Sequence, residues 1–288
     1  MYRYVPFDEI DKNKWNGTVH YASNGNVYGY YWYLKAAVRE WDAIVEDDYQ
    51  SVMPILTEPL LQEMYDLIPQ LGPYSVNVLH SGRVNQMIDM AMERNKTSIY
   101  PLNVGLNRSI LKSRKTEEIL FSTFNLGKTY EDLSGKYDKS IYHSIHGTTK
   151  DHLSFISGVK PEIIVDATSY PAVKKNALMR IMYNAMQQGI GFSNGIKDKQ
   201  TQKFLALSFF IATHNKLHEI CAIPHPDQDA RRLLMDLVIR NGAGKPMSIQ
   251  TYYDALLLEG MGFIKESSMR LDTSNFISRI KKAVKLPY

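Results

Sequence analysis

The chain has 288 residues, more than the roughly 100–200 of a single hydrophobic core, so we expect two domains or one large α/β unit. Its content of 44% hydrophobic and 22% charged residues is ordinary for a globular protein and excludes wholesale disorder. The net charge of +4 permits an anionic ligand but does not require nucleic acid.

The single cysteine, Cys221, excludes an internal disulfide framework and fits a reducing compartment. It lies in the apolar run Ile220–Ile223, which favours a small buried hydrophobe over a nucleophile. No apolar h-region of a secretory signal occurs between Met1 and Asp11, and the apolar run Phe204–Ala212 is far shorter than the about 20 residues of a spanning helix. We therefore expect a cytoplasmic protein with no membrane span.

The first half of the chain alternates helix and strand signals. The aromatic stretch Tyr28–Leu34 leads into a helix that continues to Val38. Trp41–Val45 and Gln50–Ile55 flank a polar turn, which predicts a hairpin. Apolar residues at helical spacing predict an amphipathic helix over Gly82–Arg94. Strands are predicted over Thr97–Asn103 and Glu118–Leu126.

The second half begins with a helical stripe formed by Leu133, Tyr137, Ile141 and Ile145. We place the domain boundary near Leu126–Glu131, which divides the chain into residues 1–128 and 129–288. Further helices are predicted over Lys174–Gln187, Ala230–Arg240 and Tyr252–Glu259, and strands over Phe204–Thr213, His218–Ile223 and Met247–Ile249.

The order strand, turn, helix, strand, helix and then Gly262-Phe263 resembles the second half of a GNAT-type N-acyltransferase fold. Together, Asn24–Ile55 and Phe204–Phe263 resemble a double-GNAT protein of the Fem-like peptidoglycan aminoacyltransferase type. The resemblance implies an α/β (α+β) fold with two GNAT-like halves, each a mixed, mostly antiparallel sheet flanked by helices. It also implies an amine acceptor, either a small molecule or a peptide.

A GNAT donor loop has the pattern Arg/Gln-x-x-Gly-x-Gly/Ala, because small residues let the backbone and the helix N-terminus approach the pyrophosphate of acyl-CoA. Aligning this chain on Leu233-Leu234 places His225 at the first position, Gln228 at the first glycine and Ala230 at the last. Gln228 is not small, so the loop departs from the pattern.

The donor loop also contains carboxylates at positions where the phosphates of acyl-CoA would bind. Asp227 and Asp229 are equally well explained as a helix cap and a favourable first-turn charge. Arg231 and Arg232 could hold phosphates, although first-turn arginines are usually solvated. The donor contacts implied by the resemblance are Ile223, His225, Ala230, Arg231 and Arg232.

The catalytic position also departs from the family. Many GNAT enzymes carry a tyrosine in Leu-Tyr-x-x-x-Gly-Phe that protonates the leaving thiolate, and this chain has Leu258 there. Tyr252 and Tyr253 are the candidate proton relays. In the aromatic run near the N-terminus, Tyr30 and Tyr31 are candidate contacts in a substrate cleft, with core packing as the alternative.

Three other features have structural explanations. His214 and His218 have zinc-like spacing but not the order His-Glu-x-x-His, so we expect a surface pair at a hairpin turn and no metal. The segment Gly242–Lys245 is predicted to end a helix rather than to bind phosphate. The basic tail Arg279–Lys285 predicts an amphipathic helix that either packs on the protein or contacts an anionic surface.

Two functions stay open. One is a GNAT-like transfer of an acyl or aminoacyl group to an amine, with a degraded CoA-binding loop and with acyl-CoA or aminoacyl-tRNA as donor. The other is a pseudoenzyme, a non-catalytic binding or adaptor protein that has lost the donor site.

Overall fold

The computed structural model describes residues 1–106, 108–111, 114–147, 151–223 and 228–273. The chain forms two compact units: Met1–Ile119 together with the segment that begins at Ser267, and Leu120–Glu266. The linear division into residues 1–128 and 129–288 stays a prediction. The predicted amphipathic tail Arg279–Lys285 lies outside the described residues.

The first unit is built on an antiparallel sheet of order β1-β2-β3-β4, with helices between its strands. The predicted hairpin is confirmed, because β2 pairs with β3 from Asp42↔Ile55 to Glu46↔Ser51. The elements are β1 Tyr2–Val5, α1 Lys12–Tyr21, α2 Tyr31–Val38, β2 Asp42–Glu46, β3 Ser51–Ile55, β4 Tyr74–Ser75, α3 Ser81–Met92, β5 Ile99–Pro101 and α4 Arg108–Leu111.

Aromatic packing fills the core of this unit. The ring centroids of Trp15 and Trp41 are 4.4 Å apart, and neither side chain is exposed to solvent. Helix α1 begins after Asp11, whose carboxylate accepts hydrogen bonds from the backbone N–H groups of Asn13 and Lys14. This cap satisfies N–H groups that the first turn of a helix leaves without partners.

The second unit contains a mixed, mostly antiparallel sheet, in which the strand order is β12-β6-β11-β10-β9-β8-β7. The pair β10–β11 is parallel, whereas β6–β11, β7–β8, β8–β9 and β9–β10 are antiparallel. The elements are β6 Thr116–Asn125, α5 Tyr130–Ser134, α6 Lys139–His146, β7 Leu153–Ser157, α7 Pro161–Asp166, α8 Ala172–Gln187, β8 Gly191–Asp198, β9 Phe204–Thr213, β10 Lys216–Ile223, α9 Gln228–Gly242, β11 Ser248–Thr251, α10 Ala255–Glu259 and β12 Ile264–Asp272. The first residues of β6 and the last of β12 belong to the first unit.

Two helix predictions in this unit are wrong in extent. The stripe from Leu133 to Ile145 is divided into α5 and α6, because the N–H group of Asp138 leaves the helical pattern and donates to the carbonyl of Gly260 at 2.8 Å. The helix predicted to start at Tyr252 starts at Ala255, because Asp254 has a left-handed backbone with φ +54°. Tyr252 and Tyr253 therefore lie in a turn before the helix.

Candidate functional site: the wedge between β10 and β11

The parallel strands β10 and β11 stay together for only a short distance. They are paired from Lys216↔Ser248 to Glu219↔Thr251, where β11 ends. At that point β10 has a bulge against β9, between Glu219 and Cys221, and continues to Ile223. The space between Ile220–Ile223 and the turn Thr251–Asp254 is called the wedge below.

A buried ion pair closes the inner end of the wedge. Arg231, in the first turn of α9, donates from Nη1 and Nη2 to the two carboxylate oxygens of Glu219 at 2.9 and 2.8 Å. The side chains are 3% and 0% exposed, so water does not screen this bidentate pair. Thr251 Oγ1 also donates to Glu219 Oε2 at 2.6 Å.

Arg231 forms two further hydrogen bonds. Nε donates to Asp254 Oδ2 at 2.9 Å and Nη1 to Ser208 Oγ at 3.1 Å. Burial alone would lower the pKa of Arg231, but the carboxylates of Glu219 and Asp254 raise it above its ordinary value. The guanidinium is thus fixed toward the protein interior by β10 on one side and by the turn on the other.

Tyr253 bridges the two sides of the wedge. Its hydroxyl donates to the carbonyl oxygen of Ile220 at 2.7 Å, at the bulge of β10. Its backbone N–H donates to Thr251 Oγ1 at 3.0 Å, which holds the turn in place. Tyr252 faces a different neighbour, since its ring centroid lies 5.3 Å from that of Phe121. Tyr253 is therefore a predicted proton relay whose hydroxyl lies at the wedge.

The sequence matches no protein-family model and no curated protein. Solved structures do match. FemX aligns with a TM-score of 0.61 at 9% identity, covering 94% of this chain and 98% of that chain. L-PGS from Bacillus licheniformis aligns at 0.57 and 7% identity, covering 94% of each chain, and a tandem GNAT protein from the clavulanic acid biosynthesis pathway at 0.53 and 9%, covering 95% and 99%.

The chain has a double-GNAT, Fem-like fold. The predicted fold class is confirmed: both sheets are mostly antiparallel, although among the described strands only the sheet of the second unit is mixed. At these identities the likeness concerns the fold alone.

The predicted donor contacts occupy different environments. Ala230 is fully buried in the first turn of α9 and Ile223 is partly exposed at the end of β10. Arg232 Nη1 lies 3.3 Å from Asp229 Oδ1. His225 and Asp227 lie outside the described residues. The expectation that the first-turn arginines are solvated is wrong for Arg231, which is 2% exposed.

The predicted cleft tyrosines lie in the first unit. Tyr31 is 7% exposed, and its ring is stacked on Phe7 with centroids 5.7 Å apart. Burial raises the pKa of Tyr31. The Tyr30 hydroxyl lies 3.0 Å from His20 Nδ1. These contacts are those of packing residues, and a role in substrate binding stays a prediction.

Strand β10 buries two further ionisable side chains. His218 has no exposed surface, so the expectation of a surface pair with His214 is wrong. Burial, then the charges of Lys216 and His214, lowers the pKa of His218 well below its ordinary value. Cys221 is buried as predicted, and burial raises the pKa of its thiol to about 12.

A second polar cluster connects α9 to α5 and to the segment that follows α5. The hydroxyls of Tyr130 and Tyr137 donate to Asp236 Oδ1 at 2.7 and 3.0 Å, and Asp236 is fully buried. Burial raises the pKa of Tyr130 to about 12, and burial followed by the Asp236 charge raises that of Tyr137 further. Both hydroxyls therefore stay protonated and serve as hydrogen-bond donors. Leu258, at the tyrosine position of GNAT enzymes, is a fully buried core residue.

Within the described ranges, no group of three His, Cys, Asp or Glu side chains has an arrangement that could hold a metal ion. The same part of the chain contains no helix that is both long enough and apolar enough to cross a bilayer. The cytoplasmic location stays a prediction.

Glu219, Thr251 and Asp254 are site residues that were not predicted from the sequence. A signal for Glu219 was available, because it is a carboxylate inside the apolar run His218–Ile223. A charge on a buried strand requires a partner, so this position indicates a buried cation elsewhere in the fold. Which arginine supplies that cation is decided by the tertiary structure.

Proposed function

We propose that this chain is a GNAT-fold transferase that moves an acyl or aminoacyl group from an ester donor to an amine, with the reacting carbonyl bound in the wedge. The observation that supports the proposal is the end of β11 at Thr251 beside the bulge of β10. A strand edge without a neighbouring strand offers backbone N–H groups to a developing oxyanion, and such fixed donors stabilise the transition state of acyl transfer.

The chemistry requires two proton movements. The amine nitrogen attacks the carbonyl carbon and loses a proton, and the carbon–oxygen bond to the leaving group then breaks, so the departing alkoxide must gain a proton. Tyr253 is proposed to supply this proton and to take up the proton that the amine loses, so that its hydroxyl is restored and no net proton is gained or lost. Its hydroxyl is already oriented into the wedge by its hydrogen bond to Ile220 O. Tyr252, packed on Phe121, is proposed as the second member of the relay.

Acyl-CoA is a poor fit to the described residues. Its pyrophosphate needs free donors near the start of α9, but Arg231 is committed to Glu219, Asp254 and Ser208. Arg232 is paired with Asp229, whose carboxylate would repel a phosphate. An ester donor such as aminoacyl-tRNA does not need this loop, and the acceptor is proposed to be a small-molecule or peptide amine. Ile223, Ala230 and Arg232, which are predicted from the sequence as donor contacts, are proposed to border the wedge.

The closed wedge also favours a second candidate, a non-catalytic binding protein with a GNAT fold. Tyr253 and Arg231 together connect both sides of the wedge by hydrogen bonds. If these bonds do not open for a donor, the wedge is a structural element only.

The first test is thermal unfolding with millimolar acetyl-CoA, free CoA or buffer. We expect no increase in the unfolding midpoint with either ligand. A ligand at a hundredfold excess over its dissociation constant would add about 2.7 kcal/mol of stability. A clear increase would favour a CoA thioester as the donor and would overturn the proposal of an ester donor.

The second test is amine acylation with a panel of charged tRNAs, comparing the wild type with Tyr253→Phe and Tyr252→Phe. Loss of a general acid typically lowers kcat by about 10²–10⁴, so Tyr253→Phe should show that loss. Tyr252→Phe keeps its ring packing and should lose less. Transfer at the wild-type rate by Tyr253→Phe would refute its role, and absence of transfer from every donor would favour the binding protein.

A further inference from the structure

A cavity separate from the wedge lies within the Leu120–Glu266 unit, beside the last turn of α9. Its volume is about 500 Å³, and it is bounded by β7, β8, the β9–β10 hairpin and the end of α9. The wedge adjoins the first turn of α9, whereas this cavity adjoins residues from Val238 to Gly242, the opposite end of the helix. The volume falls within the 300–1,000 Å³ typical of small-molecule sites.

Most of the cavity wall is apolar. Its apolar residues are Phe155, Phe192, Ala212, Leu217, Val238 and Met247. The ring of Phe192 is stacked on Phe210 with centroids 5.5 Å apart and planes within 18° of each other, so it presents a fixed flat surface. Phe192 is nevertheless 36% exposed, an unusual amount for a ring on a core strand. The wall therefore has the character of a binding site for an apolar or aromatic group.

Polar groups converge on the same space. Ser157 and Asn194 face each other across β7 and β8 in register, and both line the cavity. Asn194 is 6% exposed and lines the cavity, so its amide can supply a hydrogen bond to a polar atom of a ligand. Asn241, at the end of α9, adds a second amide.

Lys245 is the one charged residue among the described residues that line the cavity. None of these residues has a carboxylate, and within the described ranges no carboxylate is paired with this ammonium group. Gly244 has φ +79°, a conformation that favours glycine, and it directs the chain from α9 back along the cavity. The carbonyl end of a helix repels anions, so an anionic ligand here would depend on the lysine.

We infer that this cavity is a binding site for a small monocarboxylate with an aromatic or aliphatic body. The body lies against Phe155 and Phe192, the carboxylate is paired with Lys245, and Asn194 donates a hydrogen bond. The inference is independent of the function proposed for the wedge, because it uses none of the same residues.

The test uses 4-phenylbutyrate and its neutral amide as probes, with affinities measured by calorimetric titration of the full chain. We expect saturable binding of the carboxylate and weaker binding of the amide. Lys245→Gln should weaken phenylbutyrate binding by about three- to fivefold, as for an exposed ion pair, and leave amide binding unchanged. Lys203→Gln is the matched control, because Lys203 is an exposed lysine of the same unit and does not line the cavity. It should bind like the wild type.

Ala212→Trp places a large ring in the cavity and should abolish binding of both probes. Its fold is checked by its unfolding midpoint, and the Lys245→Gln result keeps the test valid if the larger ring destabilises the chain. Non-saturable binding, or equal affinity for the carboxylate and the amide, would overturn the inference. Retained binding in a folded Ala212→Trp variant would also overturn it.

Discussion

Two adjacent arginines allow a direct test of the wedge. Arg231 forms a bidentate pair with Glu219, and the side chains are 3% and 0% exposed. Arg232, the next residue, contacts Asp229, and here the side chains are 20% and 50% exposed. Replacement of each arginine by methionine keeps an unbranched apolar stem and removes the guanidinium with its charge. The comparison therefore separates a buried ion pair from a surface pair on the same helical turn.

The expected magnitudes differ several-fold. Arg231→Met leaves the carboxylate of Glu219 buried with the Thr251 hydroxyl as its one side-chain donor among the described residues, and loss of one partner of a buried pair costs about 3–5 kcal/mol. Arg232→Met should cost about 0–1 kcal/mol, the usual range for surface pairs. Since 1 kcal/mol corresponds to roughly 2–4 °C in a protein of this size, the Arg231 variant should lose about 6–20 °C in its midpoint.

The assays are urea unfolding, which gives the free energies, and thermal unfolding, which gives the midpoints in °C, both followed by far-ultraviolet circular dichroism. All three tryptophans, Trp15, Trp32 and Trp41, lie in the Met1–Ile119 unit, so tryptophan fluorescence would report mainly on the other unit. The double variant Arg231→Met/Glu219→Gln should regain about 2 kcal/mol, because a neutral amide needs no counter-charge. If Arg231→Met costs no more than Arg232→Met, the reasoning on the buried pair is wrong.

Two other changes test packing and pH dependence. Gly29→Ala would place a Cβ 2.4 Å from the ring of Tyr74 and should lower the free energy of unfolding by about 1–3 kcal/mol. In Gly17→Ala the new Cβ meets no atom within 4 Å in helix α1, so this variant should gain about 0.5–1 kcal/mol. Equal effects of the two variants in urea unfolding would contradict this account. The folded-state pKa of His218 is lowered, so the unfolded chain takes up a proton first and the free energy of unfolding should fall as the pH decreases below about 6.5. Urea midpoints at about pH 5 and pH 7.5 measure this change, and His218→Leu should show a smaller one.

Local sequence patterns were sufficient for much of the fold. The hairpin of Asp42–Glu46 and Ser51–Ile55 follows from two apolar runs around a polar turn. Helix α9 follows from apolar residues at helical spacing, and Gly242 ends it as predicted. These elements depend on contacts between near neighbours in the chain, and such contacts are visible in sequence periodicity.

The environment of the wedge could not be predicted in the same way. A first-turn arginine has the same local sequence whether it points to solvent or into the protein, and Arg231 is buried because β10 presents Glu219 to it. The turn before α10 was missed because it depends on the Thr251 hydroxyl and on the left-handed backbone of Asp254. Both are interactions of single side chains with the backbone or with another strand, and hydrophobic periodicity carries no information about them.

The hydrogen bonds of the turn and the Arg231–Glu219 pair both close the wedge, but they should differ in how easily they break. Tyr253 and Asp254 are adjacent on one turn, so the bonds Tyr253–Ile220 and Asp254–Arg231 should break together when that turn moves. Asp254 is 28% exposed and water can replace its bond to Arg231, whereas Glu219 is fully buried and would lose its counter-charge. We therefore expect a donor to enter by displacement of the turn, with the Arg231–Glu219 pair intact as the floor of the wedge. In that arrangement the Tyr253 hydroxyl is released from Ile220 O when a donor enters, and it can then give its proton to the leaving group beside β10.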